Sequence, residues 1–445
     1  MPRDRRRPRQ PAGVQDDLRG RHDHHHGRRL VKNVVHIVGS GPAGLSAART
    51  ALDAGARICL IDDNHAPGGQ IWRGGPARWT DARARSAWNT LRGHPGCTVM
   101  QDAQVIGCMD SRTLLVETGG RGAAVPFERL VLCSGSRELS LPFPGWTLPG
   151  VTGAGGLQAL IKGGMPVSGR RVVVAGTGPL LLAAASTALR AGAHVTAIVE
   201  HQPWSRLSAF GLGLLSRHGK KFLQAASLFA ELRGIPYVTG ATLVAATGED
   251  TVRGVVVRTG GKDVEYACDF LAAGFGLVPN TDLARALRCD VVDGAIQVDD
   301  AQRTSRTDVW AAGECTGIGG VDKAVAEGRI AALAALGRPP SGRDLPLRRA
   351  SHAFAALLAR TFAPDESLRT MCGPETIVCR CEDVTRARLL PHRDWREAKL
   401  ATRVGMGPCQ GKTCGAACAF LFGWSHEDAR TPIMPATARA LSDFE

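Results

Sequence analysis

Short apolar runs that end in glycine or in an acidic residue recur along the chain and predict buried parallel strands. The first run covers residues 34–38, and a helix-like segment follows at residues 45–54. A second apolar run, at residues 56–61, ends in two aspartates. Strand, glycine turn, helix and strand in this order are typical of a dinucleotide-binding unit, in which a helix N-terminus faces a pyrophosphate. The pattern therefore predicts an α/β fold built on a parallel sheet.

The turn between the first strand and the helix has the spacing Gly-x-Gly-x-x-Gly. Gly39 permits the sharp turn, Gly41 lets the backbone approach a phosphate, and Gly44 lets the helix pack closely on the strand. Asp62 ends the second strand, where such a fold places the acid that accepts hydrogen bonds from a ribose hydroxyl. The candidate dinucleotide-binding residues of this first unit are Gly39, Gly41, Pro42, Ala43, Gly44, Asp62 and Asp63.

A second copy of the pattern follows later in the chain. Residues 171–181 repeat the strand and the glycine turn, and residues 195–200 repeat the strand that ends in an acid. The duplication predicts two Rossmann-like units in one chain. Leu181 replaces the third glycine, which narrows the second groove, and Glu200 would favour NAD over NADP there. Two interpretations stay open: the second unit binds NAD(P), or it keeps only the fold.

The chain then returns to the first unit. Residues 270–281 cross back, and residues 304–314 predict a strand that ends in Gly313 and Glu314. A helix predicted over residues 321–336 follows. The Glu314 carboxylate and the N-terminus of this helix can bind the ribityl hydroxyls and the pyrophosphate of a flavin dinucleotide. The first unit is thus expected to be discontinuous.

These changes of pattern predict four parts of the chain. They are a disordered basic tail, a discontinuous dinucleotide-binding domain, a second NAD(P)-binding-like domain and a small cysteine-rich domain. Their predicted bounds are residues 1–31, residues 32–152 with 279–345, residues 153–278, and residues 346–445. Within them, residues 97–130 predict a small antiparallel excursion, and residues 205–235 predict one or two amphipathic helices.

Further motifs carry a resemblance to a known family. They are Gly68-Gly69-Gln70, Leu148-Pro149-Gly150-Val151, residues 276–281 and Ala311-Ala312-Gly313-Glu314. Together with the first glycine turn they resemble the two-dinucleotide-binding flavoproteins. From about Val31 onward, the chain is similar to the FAD-containing subunits of opine oxidases, hydroxyproline dehydrogenases and hydrogen cyanide synthase.

The resemblance implies bound FAD, a partner subunit similar to amino-acid oxidases, and a small amine or amino acid as the substrate. It adds five residues to the candidate FAD-binding set, namely Gly69, Gln70, Gly135, Gly313 and Glu314.

Six of the 13 cysteines lie between residues 372 and 418. Four of them form two spaced pairs, Cys379 with Cys381 and Cys409 with Cys414, and four converging thiolates suit zinc or a 2Fe–2S cluster. The cluster is favoured because zinc would give a neighbouring flavin no electron path. The segment also resembles the 2Fe–2S domain of bacterioferritin-associated ferredoxins. Zinc, no metal, and a Cys409–Cys414 disulfide remain the alternatives.

The formal net charge of +14 is unevenly spread, because residues 1–32 supply +6 of it. This polar, arginine-rich tail cannot bury a core, so disorder is expected and nucleic-acid binding is not. No apolar run of 18 residues occurs, so no transmembrane segment is expected, and peripheral association with a membrane stays open. The scattered thiols and the lack of a signal peptide indicate the cytoplasm.

Together these features predict an FAD- and 2Fe–2S-dependent oxidoreductase. It is expected to be the electron-transfer subunit of a hetero-oligomeric dehydrogenase or oxidase for an opine, hydroxyproline or glycine. The alternative is a self-contained NAD(P)H-dependent reductase that passes electrons through the cluster. A third interpretation is a nucleic-acid-binding or scaffold protein that uses the basic tail and a zinc module. No side chain stands out as a general base, so the catalytic residues are unassigned.

Overall fold

The computed structural model describes residues 33–425 and 429–444. The predicted basic tail, residues 1–31, lies outside the described residues. The described residues form 22 strands. In chain order they are β1 (Val34–Val38), β2 (Arg57–Ile61), β3 (Cys97–Met100), β4 (Ala103–Asp110), β5 (Thr113–Thr118), β6 (Arg121–Pro126), β7 (Leu130–Leu132), β8 (Ser136–Glu138), β9 (Val151–Gly153), β10 (Arg171–Gly176), β11 (His194–Glu200), β12 (Tyr237–Thr239), β13 (Ala241–Thr247), β14 (Gly254–Thr259), β15 (Lys262–Ala267), β16 (Phe270–Gly274), β17 (Leu277–Pro279), β18 (Val291–Val292), β19 (Ala295–Ile296), β20 (Val309–Ala311), β21 (Ile377–Cys379) and β22 (Val384–Thr385).

The same parts of the chain contain 13 α-helices. They are α1 (Pro42–Asp53), α2 (Ala82–Leu91), α3 (Ala154–Lys162), α4 (Leu180–Arg190), α5 (Trp204–Arg217), α6 (Gly219–Glu231), α7 (Asp282–Ala286), α8 (Gly320–Ala335), α9 (Asp344–Phe362), α10 (Arg386–Leu389), α11 (Trp395–Thr402), α12 (Cys414–Phe422) and α13 (Ala438–Ser442). None of these helices is long and apolar enough to cross a membrane.

The first sheet is parallel throughout, with the strand order β20-β7-β1-β2-β3. Its central strands are buried on both faces, because helices α1, α2 and α8 cover one face and the antiparallel sheet β4-β5-β6 with α7 covers the other. Helix α8 can lie close to α1 because Gly328 has no side chain, and a Cβ at Gly328 would clash with the carbonyl group of Ala43. Strand β20 belongs to this sheet, so the chain returns to the first unit after it has completed the second.

The second sheet is also parallel, with the order β12-β11-β10-β16-β9. Strand β10 is almost completely buried, as its unbroken apolar run predicts. Two such sheets with helices packed on them confirm the predicted α/β class with two Rossmann-like units. Their boundaries in the sequence stay a prediction.

Two three-stranded antiparallel sheets, β4-β5-β6 and β13-β14-β15, extend from the parallel ones. The prediction of an antiparallel excursion over residues 97–130 was wrong at its start, because β3 pairs in parallel with β2. β3 is an edge strand with half-buried side chains, and its sequence therefore alternates only weakly.

The cysteine-rich part has a small core of its own around Trp395, Val404 and Cys418. It is fixed to the second unit by the Trp146 indole N–H, which donates to the carbonyl oxygen of Ile377 at 2.7 Å. The C-terminal segment, residues 429–444, returns to the first antiparallel sheet. There Arg121 and Asp443 form an ion pair at 2.8 Å.

Candidate functional site

The first glycine turn is shaped by contacts that leave no room for side chains. Gly39 has φ +101°, and a Cβ there would clash with the carbonyl oxygen of Cys133. A Cβ at Gly44 would clash with the carbonyl oxygen of Gly39, so the start of α1 packs directly on the turn. Each of these glycines is therefore required by the backbone path.

A second loop closes over this turn. The amide of Gly68 donates to the carbonyl oxygen of Ser40 at 2.9 Å, and the backbones of Gly41 and Gly69 face each other. A Cβ on Gly69 would lie 3.0 Å from the Gly41 Cα. The hydroxyl of Ser40 is buried and has no hydrogen-bond partner among the described residues. A helix N-terminus that is lined by glycine backbone is suited to a phosphate-bearing ligand.

Asp62 is buried, and its carboxylate is hydrogen-bonded to the backbone of the first glycine turn. Its carboxylate accepts the Ser40 amide at 2.5 Å and the Asn64 amide at 2.8 Å. These bonds fix the orientation of the carboxylate, and its predicted bond to a ribose stays a prediction. Asp63, beside it, is exposed and lines a cavity of about 330 Å³ together with Asp102 and Glu117.

The far end of the first unit meets this turn. Gly313 has φ +89°, and a Cβ there would lie 2.9 Å from the Cβ of Ala43. The Glu314 carboxylate accepts the hydroxyl of Ser136 at 2.6 Å and the amide of Gly320, at the start of α8, at 3.2 Å. The structure thus brings together residues that are some 270 positions apart in the sequence.

The other two predicted FAD-binding residues lie at the rim. The side chain of Gln70 is exposed and accepts a hydrogen bond from Arg73 at 3.0 Å. Gly135 has φ +66° with open space around it, and its carbonyl oxygen accepts the amide of Asn280 at 3.0 Å.

A buried ion pair below Gly313 was not predicted from the sequence. The Lys323 ammonium donates to the carbonyl oxygen of Gly313, the hydroxyl of Thr316 and the carboxylate of Glu327, each at 2.8 Å. Glu327 also accepts the Gly313 amide at 3.0 Å and the imidazole of His352 at 2.9 Å. The pair therefore binds both the amide and the carbonyl oxygen of Gly313. The i,i+4 spacing of Lys323 and Glu327 in an alanine-rich helix is the signal that could have revealed it.

The environment keeps the Glu327 carboxylate ionised. Burial raises its pKa, but the hydrogen bond from His352 and the charge of Lys323 outweigh burial, so the net pKa lies below its usual range.

The second glycine turn is covered by the chain itself. Leu181 is buried and fills the position of the third glycine, with its Cδ2 3.3 Å from the place of a Cβ on Gly274. The Glu200 carboxylate accepts the amide of Gly178 at 2.9 Å, and burial raises its pKa. Phe362, at the end of α9, lies 3.8 Å from the place of a Cβ on Gly178.

A second contact holds the segment of residues 362–365 over the second glycine turn. The imidazole of His201, directly after Glu200, lies 3.1 Å from the carboxylate of Asp365. Residues 362–365 therefore run over the turn and over the strand end at which a nucleotide would bind.

The four predicted metal ligands lie as two pairs. The sulfur atoms of Cys381 and Cys409 are 3.7 Å apart. The thiol of Cys414 donates a hydrogen bond to the sulfur of Cys379. This hydrogen bond, together with those from backbone amides, lowers the pKa of Cys379 to about 6. The same hydrogen bond and burial raise the pKa of Cys414. Within residues 33–425 and 429–444, no three or more His, Cys, Asp or Glu side chains form a ready metal site. All 13 cysteines are free thiols.

The backbone around the pairs is close to the sulfurs. A Cβ on Gly407 would clash with the Cβ of Cys381, and the amides of Gly405, Cys381 and Glu382 donate to the sulfur of Cys379. Cys372 and Cys418 are buried thiols outside the two pairs.

The cysteine-bearing loop is tied to the first unit by a contact that the sequence does not predict. Arg137 donates to the carbonyl oxygen of Lys412 at 2.9 Å and to the Asn280 side chain at 2.9 Å. Ser136, its neighbour in β8, donates to Glu314. One short strand therefore contacts both the Glu314 end of the first site and the loop between Cys409 and Cys414.

Comparison with known proteins identifies the family. Residues 33–328 match the profile of the pyridine nucleotide-disulphide oxidoreductases. The chain belongs to this family. It is an FAD-dependent oxidoreductase, and the matched residues include the glycine turn at Gly39–Gly44.

Similar proteins extend over most of the chain. One subunit of the opine oxidase of Rhizobium meliloti is 30% identical over 426 residues, which span 86% of this chain and 80% of that protein. The HcnB subunit of the hydrogen cyanide synthase of Pseudomonas protegens is 32% identical over 425 residues, 86% of this chain and 90% of that protein. The likeness to these subunits, predicted from the motifs, is confirmed.

Among solved structures, L-proline dehydrogenase from P. horikoshii shares the fold, with a TM-score of 0.65 at 19% identity. The match covers 92% of this chain and 79% of that one. Thioredoxin reductase from T. acidophilum matches 69% of this chain and 99% of its own length, with a TM-score of 0.52 at 22% identity.

Proposed function

We propose that this flavoprotein is the electron-transfer subunit of a multi-subunit amine or amino-acid dehydrogenase or oxidase, with FAD and a 2Fe–2S cluster as its cofactors. The observation that carries the proposal is strand β8, which joins Glu314 to the loop of Cys409 and Cys414 through Ser136 and Arg137. Such a link would hold the flavin and the 2Fe–2S cluster in fixed positions relative to each other. The similar proteins are subunits of an opine oxidase and of hydrogen cyanide synthase, which supports a complex.

The residues of the first unit fit FAD. The N-terminus of α1, where glycine keeps the backbones of Gly41 and Gly69 free of side chains, would bind the pyrophosphate. Glu314 and the start of α8 would hold the ribityl side, and Asp63 the adenosine side. When bound, FAD accepts electron pairs and passes electrons on singly. The chain's own residues orient it, with Lys323 and Glu327 fixing the peptide that carries Glu314.

The two cysteine pairs fit a 2Fe–2S cluster better than a single zinc ion. Two sulfurs bound to one metal at about 2.3 Å in a tetrahedron are about 3.8 Å apart, close to the 3.7 Å between Cys381 and Cys409. A 2Fe–2S cluster takes four thiolates, two on each iron, so each of the two contacting pairs would bind one iron. An electron-transfer role favours the cluster, because zinc would give the flavin no electron path. The amides at Cys379 would remain as hydrogen-bond donors to sulfur.

The covered second turn argues against the NAD(P)H-dependent reductase. Phe362 would have to leave Gly178, and Leu181 would still hold the helix away from a pyrophosphate. NADH oxidation by the purified FAD-loaded chain, with ferricyanide as acceptor, is expected to be no faster than without protein. Rapid turnover would restore the reductase interpretation.

The complex can be tested by reconstitution. The chain is mixed under anaerobic conditions with an amino-acid-oxidase-like protein encoded beside it, and then with an opine, hydroxyproline or glycine. One of these substrates is expected to bleach the visible flavin and cluster bands only when both proteins are present. Bleaching by the chain alone, or by none of the three in the complex, would contradict the proposed function.

A further inference from the structure

A cavity of about 280 Å³ lies between helix α3 and the segment that follows the Gly69–Gln70 loop. Its lining includes Trp72 and Trp79, two buried residues whose rings contact each other. Three cationic side chains also line it, namely Arg73, Arg78 and Lys162. Its volume is near the lower end of the range for small-molecule sites.

The three cations have only neutral hydrogen-bond partners. Arg73 donates to the amide oxygen of Gln70 at 3.0 Å, and Arg78 donates to the backbone carbonyl of Lys162 at 2.7 Å. The Lys162 ammonium donates to the backbone carbonyl of Ile71 at 3.4 Å. No carboxylate in the described parts of the chain lies within ion-pair distance of any of the three.

The nearby carboxylates do not cancel this charge. Asp81 lines the cavity, but Arg83 binds it at 2.8 Å and so neutralises it. Asp63 acts on Arg73 only from beyond ion-pair distance. The cavity therefore has an excess of positive charge.

The excess charge is unfavourable without a counter-ion. Burial and the charge of Arg73 lower the pKa of Lys162, so the two cations destabilise each other. Guanidinium and ammonium groups that converge on a partly desolvated cavity bind carboxylate or phosphate strongly.

We propose that Arg73, Arg78 and Lys162 form a binding site for the oxyanion of a small organic molecule, beside the flavin-binding cleft. Arg73 is held by Gln70, next to the glycine that faces Gly41, so the ligand lies against the rim of the FAD site. Trp72 and Trp79, which also line the cavity, would lie beside its apolar part. The oxyanion can be the carboxylate of a small amine or the phosphate of a small ester, and the cavity is too small for a dinucleotide. The inference depends on neither the proposed cluster nor the proposed partner.

The test titrates the full-length, FAD-loaded protein with iminodiacetate and, separately, with inorganic phosphate, by isothermal titration calorimetry at low salt. Lys162→Met and Arg73→Gln each remove one of the three charges. Lys262→Met, which removes an exposed charge at the start of β15, is the matched control. We expect at least one probe to bind, about tenfold or more weaker in each cavity variant, and unchanged in the control.

Tighter binding of iminodiacetate assigns the site to carboxylates, and tighter binding of phosphate assigns it to phosphate esters. Flavin content shows whether each variant is folded, and the less buried Arg73 variant decides the result if Lys162→Met fails to fold. If neither probe binds, the proposed site is overturned. That result is expected if the phosphates of the bound flavin already neutralise these cations. Equal binding by the variants and the control would overturn it too.

Discussion

The buried Lys323–Glu327 pair allows an asymmetric prediction. In Glu327→Gln, Lys323 loses the one carboxylate that it contacts within the described residues, yet stays buried. Removing one partner of a buried pair typically costs about 3–5 kcal/mol, so we expect a loss of about 3 kcal/mol in the free energy of unfolding. In Lys323→Met, Glu327 keeps His352 at 2.9 Å and the Gly313 amide at 3.0 Å. Its loss should be smaller, about 1–2 kcal/mol.

Urea unfolding followed by circular dichroism measures both losses, and equilibrium dialysis measures the FAD affinity of each variant. Because Glu327 holds the Gly313 amide, the affinity should fall more in Glu327→Gln than in Lys323→Met. The double variant should lose less stability than the two single losses added together, because each single variant leaves a group without its partner. A greater loss in Lys323→Met, or unchanged stability and FAD affinity in Glu327→Gln, would refute this reasoning.

Four further predictions follow from the geometry. Cys381→Ser and Cys409→Ser should lose iron and keep FAD, while Cys372→Ser, a buried thiol outside the pairs, keeps both; retained iron and sulfide in the two ligand variants would refute the assignment. Gly39→Ala should abolish FAD binding because of its φ of +101° and the clash with Cys133, whereas Gly211→Ala, in open space on α5, should bind FAD normally in dialysis. Arg137→Met should speed amide exchange at Cys409–Cys414 without loss of FAD, and unchanged exchange would show that the link does not hold the loop. In the folded protein, the pKa of Glu327 lies below its ordinary value of 4.5. Its ionised carboxylate therefore contributes its full stabilisation above pH 4.5, and this contribution is lost as the pH falls below 4.5. A pH series of urea midpoints should show this acid dependence reduced in Glu327→Gln.

The first unit could be predicted from local sequence because its turn is dictated by backbone contacts. Only glycine fits at Gly39 and Gly44, and such contacts leave a fixed spacing in the sequence. The same spacing, with Leu181 in place of glycine, indicated that the second unit differs. Asp62 shows the limit, because a strand-end acid does not reveal in the sequence that its carboxylate also accepts the Ser40 amide of the glycine turn.

Contacts between distant parts of the chain could not be predicted. Phe362 reaches Gly178 and Arg137 reaches Lys412 across a long sequence separation, and neither residue belongs to a recognisable motif. The charge of the cavity at Lys162 also depends on the packing of α3 against the segment after Gln70. Tertiary packing, and not local propensity, determines these features.

The most direct test of the central claim is the cofactor content of the anaerobically purified chain. FAD, iron, acid-labile sulfide and zinc are measured on one sample, together with its electron paramagnetic resonance spectrum after reduction. The account predicts iron and sulfide in equal amounts, each about twice the FAD, with the signal of a reduced 2Fe–2S cluster. FAD accompanied by zinc, or by no metal, would contradict it.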